Sequence, residues 1–275
     1  MQELKTIEDL DLLRSMNIDP YSLIKDWDPA GELRSWAKEV AVKGIEFKTN
    51  HIWNEHRTAG RIHPSSLGTK CDFRLFLEIA GGAQTRQVSE TLQSIFDIGT
   101  AIHLILEYYQ TTRALMHDYE YLAEVKHWKN SEIADQLRMC GSTDGTMHRV
   151  FKELDLDLRA LWEYKSSNIS QFPTNKPKKD AVIQSHAYMR MANIPMTVIL
   201  YYRKDDSILQ AFPVFFDWNI WKPVEDRISR IVELYDNFEE PDKAPGGHCT
   251  MCPFLIECSP PRGSRGARGK RAPRA

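Results

Sequence analysis

Apolar positions change their spacing along the chain, and those changes mark out its elements. In "SETLQSIFDIGTAIHLILEYYQTTRA", roughly residues 89 to 114, the pattern predicts one long helix. On it Gly99, His103 and Glu107 fall at successive i, i+4 positions and share a face. From 119 the period changes. "YEYLAEVKHW", "QLRMCGSTDGTMHRVF" and "LDLRALWEYKSS" are short, rich in aromatics and punctuated by Gly or Asp, which predicts a three-stranded meander. A Pro/Lys loop, "QFPTNKPKKD", leads into a helix, "AVIQSHAYMRMANI". Two further strands, "MTVILYYRK" and "ILQAFPVFF", precede a helix, "WKPVEDRISRIVELYDNF".

Before residue 60 the pattern reads as helices broken at "IDPYS" and "WDPAGE". The run "SSLGTKCDFRLFLEIAGG" opens on serines suited to capping and closes on a glycine pair, so Cys71 should lie near the start of a short helix. Helix, three strands, helix, then strands again describes an α/β domain with a mixed central sheet flanked by helices. The expected divisions are an N-terminal helical region (1–88), a core (89–238), a cysteine segment (239–261) and a basic tail (262–275). No internal repeat is visible.

With 275 residues, 42% of them hydrophobic, the chain can bury a core without a metal to fold it. Its longest apolar runs are too short to cross a bilayer, and "MQELKTIEDLD" lacks the charged-then-apolar pattern of a secretory signal. The expectation is a cytoplasmic protein of a bacterial, archaeal or phage-infected cell. Net charge is −2, but the tail "RGSRGARGKRAPRA" holds six basic residues and no acidic one, leaving 30 Lys and Arg against 38 Asp and Glu in the body. Such a Gly/Arg/Pro tail cannot build a core and reads as disordered, either a nonspecific nucleic-acid contact or a solubilising end. A nucleic-acid site on the acidic body must be a local basic cleft.

The chemistry gathers in a few places. If residues 159 to 165 form a strand, Glu163 and Lys165 share one face while Trp162 and Tyr164 point to the other. Asp144, in "GSTDGTM", is expected at the turn between neighbouring strands. Two carboxylates brought together offer hard oxygens to Mg²⁺ or Mn²⁺, and a lysine beside them can orient water or steady charge at phosphorus. An E-x-K triplet alone also occurs on solvated strands. Five cysteines, odd in number and clustered, argue for metal binding over disulfides in a reducing compartment. Cys249, Cys252 and Cys258 form C-x2-C-x5-C, one thiolate short of a full site, while Cys140 reads as a buried core residue.

In order, G-x-x-x-H on a helix is followed by G-x-x-D, by E-x-K on a strand and by Q-x-x-x-Y (Gln184, Tyr188) on a helix, with one cysteine upstream and three downstream. Over roughly residues 61 to 259 this set resembles the PD-(D/E)XK nuclease superfamily. It is most similar to the RecB-like branch with an iron–sulfur cluster: CRISPR-associated adaptation nucleases, AddB-type nuclease domains and stand-alone phage exonucleases. The proline of the name-giving Pro-Asp pair is replaced by Thr143, and no Walker-type phosphate loop is present, so no fused motor is visible.

The resemblance implies a restriction-endonuclease-like core and a metal-dependent deoxyribonuclease acting in recombination, repair or processing. His103, Asp144, Glu163 and the backbone carbonyl of Tyr164 would hold the Mg²⁺ or Mn²⁺, with Lys165 as catalytic lysine and Gln184 and Tyr188 positioning substrate or water. Cys71 would join Cys249, Cys252 and Cys258 as ligands of a [4Fe–4S] cluster. Spacing alone does not exclude zinc on the same four thiolates and, without the resemblance, favours it. The expected substrate is DNA, single-stranded with a free end, trimmed exonucleolytically, its backbone near Lys176, Lys178 and Lys179, with Lys70 and Arg74 in reach of the same strand. Bases would lie near aromatics such as Phe73 or Tyr109, and any unwinding would come from a helicase or a recombination or adaptation partner. The competing readings are a DNA-binding or assembly subunit with a dead nuclease fold, and a zinc-stabilised interaction module.

Overall fold

The computed structural model describes residues 2–32, 60–82, 90–117, 119–246, 249 and 252–258. The basic tail lies outside these, as do residues 33–59 of the N-terminal region.

Among the described residues, six strands form one mixed sheet. They are β1 (Gln2–Leu4), β2 (Glu120–Val125), β3 (Thr143–Phe151), β4 (Leu156–Ser167), β5 (Met196–Arg203) and β6 (Leu209–Phe215). The order is β2-β3-β4-β5-β6, with β2–β3, β3–β4 and β5–β6 antiparallel and β4–β5 parallel. The five main strands and the flanking helices follow the expected α/β plan. β4 has the predicted bounds, Leu156 to Ser167, and is buried along most of its length. The strand β1 is the departure in a region read as purely helical: it pairs parallel with Leu156–Leu158, so the chain's first residues complete the half of β4 that β5 does not reach.

Both faces of the sheet are covered. The long helix Glu90–His117 lies over the face carrying Tyr164 and Ser166: Gly99 packs toward the Ser166 hydroxyl and the His103 ring meets Tyr164 edge-on. The helix Lys179–Ala192 lies over the other face, where Gln184 reaches Glu163. Trp162, Tyr164, Val198, Ile199 and Leu200 are buried between these layers. A strand covered on both sides must be apolar nearly throughout, which makes the buried Glu163 an exception that calls for a partner.

The ends are tied in. Thr6 and Asp9 form a reciprocal capping box on helix Ile7–Ser15, and Asp217 caps helix Trp218–Asp236. Asp72, in the first turn of helix Asp72–Ile79, accepts from Arg227 Nε at 2.7 Å and from Arg230 Nη2 at 2.5 Å. That clasp fixes the helix preceded by Cys71 to the helix that leads into the cysteine segment.

Candidate active site and a cavity of four thiols

The candidate active site lies where β3 and β4 part. Their last pair is Gly145 with Trp162, so the next step along the register sets Asp144 against Glu163. Asp144 is therefore a strand residue near the start of β3; the turn to β4 falls at Lys152–Leu154 and Asp155 instead. The "TDG" sequence resembles a turn, but its glycine has another cause. Any side chain on Gly145 would collide with the Tyr121 phenol, which crosses from β2.

Beyond the last ladder pair, the Asp144 side chain takes over the sheet's hydrogen bonding. Its Oδ2 accepts from the Tyr164 amide at 2.5 Å, and its Oδ1 lies 3.4 Å from His103 Nδ1. Tyr121 supports the strand from behind: its hydroxyl donates to the Asp144 carbonyl at 3.3 Å and lies 2.8 Å from the Tyr164 hydroxyl. On the other face Lys165 Nζ donates to Glu163 Oε1 at 2.6 Å and to Gln184 Oε1 at 2.8 Å. Gln184 Nε2 donates to the same Glu163 oxygen at 2.9 Å, closing a three-membered polar ring. Tyr188, one turn on, is buried against Gln184. Strand alternation thus puts Glu163 and Lys165 together, and the i, i+4 spacing brings Gln184 and Tyr188 down onto them.

The electrostatics follow from burial. Desolvation raises the Glu163 carboxyl to about 7; Lys165 opposes this and Asp144 adds to it. Asp144 is also desolvated, but His103, Lys165 and the Tyr164 amide outweigh that and hold it below the usual range. Burial opposes charge on His103 and Lys165, yet the two carboxylates raise both. Two carboxylates of opposite tendency stand side by side, one readily ionised and one that burial drives toward a proton or a cation.

By donor type, two carboxylates, an imidazole and a carbonyl suit a hard divalent ion. Among the described residues, however, no three His, Cys, Asp or Glu side chains converge tightly enough to hold one ion. Glu163 is turned to Lys165 and Gln184, and Asp144 to Tyr164 and His103.

The four cysteines expected to act together meet at one place. Cys71, Cys249, Cys252 and Cys258 line a single cavity of about 330 Å³ whose walls include Phe73, Leu77 and Phe254. Cys71 lies immediately before the helix Asp72–Ile79 as expected, but it is itself the N-cap, without a side-chain hydrogen bond, and the serines of the run sit in a separate turn at Pro64–Ser66. Burial raises the Cys258 thiol; Lys243 pulls it back, and Cys71, Cys249 and Cys252 push it further up. Cys140 stands apart, fully buried, its sulfur 3.4 Å from His63 Nε2.

The expected DNA contacts fare unevenly. Lys70, Lys176 and Lys179 are exposed and Lys178 half-buried, its amide donating to Tyr201 Oη at 3.1 Å. Arg74 turns inward, pairing with Glu78 at 3.6 Å and lining the thiol cavity. Phe73 is not available to a base: it is 4% exposed, parallel to Phe76, with Lys243 above its ring. Tyr109 packs partly buried against the core. Sequence reasoning did not reach Tyr121, whose only signal is an inward position on an alternating strand, or Lys243, which carries none. Among the described residues no helix is long and apolar enough to cross a membrane.

No protein-family model matches the chain, and no curated protein matches it. Among solved structures, an alkaline exonuclease (LHK-Exo) from Laribacter hongkongensis overlaps with a TM-score of 0.47 at 15% identity, over 65% of this chain and 89% of that one. The same exonuclease in complex with dAMP gives 0.46 at 16%, over 65% and 89%. A protein named SSO0001 gives 0.43 at 14%, over 82% of this chain and 92% of that one. Overlaps this loose at identities this low leave the functional reading to rest on the residues of the site.

Proposed function

We propose that the chain is a divalent-metal-dependent deoxyribonuclease of the PD-(D/E)XK type, trimming single-stranded DNA from a free end. One observation carries the reading. Asp144, Glu163, Lys165 and Gln184, from two strands and a helix, are joined by direct hydrogen bonds or register at the point where the sheet opens. A buried carboxylate raised to about 7 is costly to keep in a core for packing alone, and a cation is what would relieve it.

His103, Asp144, Glu163 and the Tyr164 carbonyl would hold Mg²⁺ or Mn²⁺. When bound, the ion would lower the pKa of a water and neutralise charge on the phosphoryl oxygens. Lys165 holds its charge in this setting and is placed to steady the developing negative charge. Gln184 fixes the lysine and the carboxylate relative to each other. Tyr188, its phenol kept protonated by burial and then by Glu163 and Asp144, remains a hydrogen-bond donor to substrate or water. The exposed Lys176 and Lys179 would meet the phosphate backbone, along with Lys178 and Lys70, whereas the inward-turned Arg74 would serve the thiol cavity.

The four thiols would carry a [4Fe–4S] cluster. The same four thiols around one cavity would also suit a structural zinc, and metal analysis separates the two. In this reading residues 89–238, with β1 added to their sheet, form the nuclease core, and 239–261 would staple the helix after Cys71 to it, in a soluble cytoplasmic enzyme of recombination, repair or processing. Unwinding would fall to a helicase or similar partner. A second reading, a DNA-binding subunit with little activity and a structural metal, draws on Glu163 being turned to Lys165.

The test is digestion of labelled linear single strands, blunt duplexes and closed single-stranded circles in Mg²⁺ or Mn²⁺, beside a Lys165→Ala control. Metal-dependent loss of the linear strand, absent in the control, is the expected result. Equal cutting of blunt duplex sinks the strand preference, and rapid cutting of the circle sinks the exonuclease. Activity undiminished in chelator sinks the metal.

A further inference from the structure

The expectation that Phe73 meets a base fails because that ring is buried, which leaves the aromatic side of the strand path unassigned. The long helix Glu90–His117 supplies an alternative. Its N-terminal half runs on past Gly99, the position that packs against Ser166 near the end of β4. Residues 94 to 98 are exposed, among them Ile95 at 47%, Phe96 at 49% and Ile98 at 52%.

These three do not face the same way. Phe96 precedes His103 by seven positions, which on an α-helix is about 20° short of two full turns. Phe96 therefore continues the stripe that carries His103 to Asp144, about 10 Å further along the axis. Ile95 lies about 80° from His103, off that stripe and beside Ile98. Ile98 points about 140° away from His103. So one aromatic, half exposed, stands in line with the catalytic centre at the open end of the sheet.

The same end of the sheet carries the lysines. Tyr201, directly opposite Lys165 on β5, accepts from the Lys178 amide, so the loop with Lys176, Lys178 and Lys179 rises on the face opposite the long helix. An apolar, aromatic wall on one side and a cationic wall on the other match the two chemistries of a single strand: bases that stack and phosphates that are charged. A duplex, with its bases inside, has no use for the first wall.

We propose that Phe96 is a nucleobase-stacking subsite that holds the single strand beside the reacting phosphate. This rests on the nuclease reading above and adds the residue that distinguishes a single strand from a duplex.

The experiment uses the full chain in a Lys165→Ala background, which prevents digestion, with a short linear single strand carrying fluorescein and 2-aminopurine. Fluorescence anisotropy against salt gives affinity and the number of phosphate contacts. Phe96→Ala should weaken binding about tenfold, within the range for loss of one stacked base. The salt slope should stay unchanged, because no phosphate contact is lost. It should also abolish 2-aminopurine quenching, while Phe96→Trp restores both. Ile98→Ala, an equally exposed apolar truncation on the other side of the helix, should change nothing. Undiminished affinity in Phe96→Ala, or an equal loss in Ile98→Ala, overturns the subsite. A parent that neither binds nor, with Lys165 restored, cuts a single strand overturns the nuclease reading itself, so the two failures are distinct.

Discussion

The carboxylate centre and the thiol cavity both draw on residues distant in sequence, but the fold prepares them to different degrees. Asp144, Glu163 and Lys165 sit on adjacent strands whose ladder is complete up to Gly145 and Trp162, and Gln184 is delivered by the helix between β4 and β5. Each of these polar groups has a direct partner. The four thiols come from the start of the helix Asp72–Ile79 and from the C-terminal segment, and share a cavity as free cysteines. The sheet holds the first site in place, whereas on the reading proposed above the second would join the Asp72–Arg227 contact in holding the helix after Cys71 to the C-terminal segment. A substitution should therefore cost activity at the first and assembly at the second.

The largest expected effect breaks the first site alone. Lys165→Ala or Asp144→Ala should lower single-strand digestion by at least roughly a thousandfold, as when a group that steadies transition-state charge is removed. Far-UV circular dichroism should remain that of the wild type, since the ladders on either side are untouched. A variant that keeps more than a tenth of the activity, or one that unfolds, would erase the contrast with the cysteines.

Next in size is the second site. Cys71→Ser, Cys249→Ser, Cys252→Ser or Cys258→Ser should remove the brown colour and iron of an anaerobic preparation. Each should cost about 3 kcal/mol, the order of a cross-link closing a long loop. Cys140→Ser should keep iron and colour, because its sulfur is near His63 and outside the cavity. Iron retained in full by Cys71→Ser would separate that residue from the other three. Zinc in place of iron in the native protein would refute the cluster.

A smaller effect belongs to His103, which meets the centre through Asp144 at 3.4 Å and edge-on against the Tyr164 ring. His103→Ala should lower activity roughly ten- to a hundredfold, with the loss eased at high Mn²⁺ if the imidazole serves mainly to hold the ion. A loss as deep as that of Lys165→Ala, unrelieved by Mn²⁺, would give it a more direct role.

How much of this the sequence carries depends on how local the determinant is. The bounds of β4, the pairing of Glu163 with Lys165 and the place of Cys71 before a helix follow from flanking polar residues, i, i+2 spacing and a short apolar run, each within a few residues. β1 was invisible because three residues make no pattern and its partner lies more than 150 positions on. Asp144 read as a turn because a glycine follows it, when Gly145 is there for the Tyr121 phenol, a contact between strands. Phe73 read as a surface aromatic because nothing local shows that Phe76 and Lys243 enclose it. The convergence of four thiols on one cavity is likewise a matter of tertiary structure, which spacing alone could propose but not place.

The smallest prediction sharpens the comparison through pH. Burial raises Glu163 from 4.5 in the unfolded chain to about 7 in the fold, against Lys165. Between those values the folded state keeps a proton that the unfolded state has released, so this group's contribution to stability falls as pH rises through the window. It is fully present below about 4.5 and lost above about 7. Glutamine does not titrate, so Glu163→Gln lacks that decline. Melted side by side in chelator, the variant should gain on the wild type between about pH 5 and about pH 8, by an amount on the order of 1 kcal/mol. Adding Mg²⁺ at the higher pH should then raise the wild-type Tm and leave the variant's where it was. A difference between the two proteins that stays flat with pH would mean that Glu163 is as comfortably charged as a surface carboxylate, and the need for a cation at this site would disappear with it.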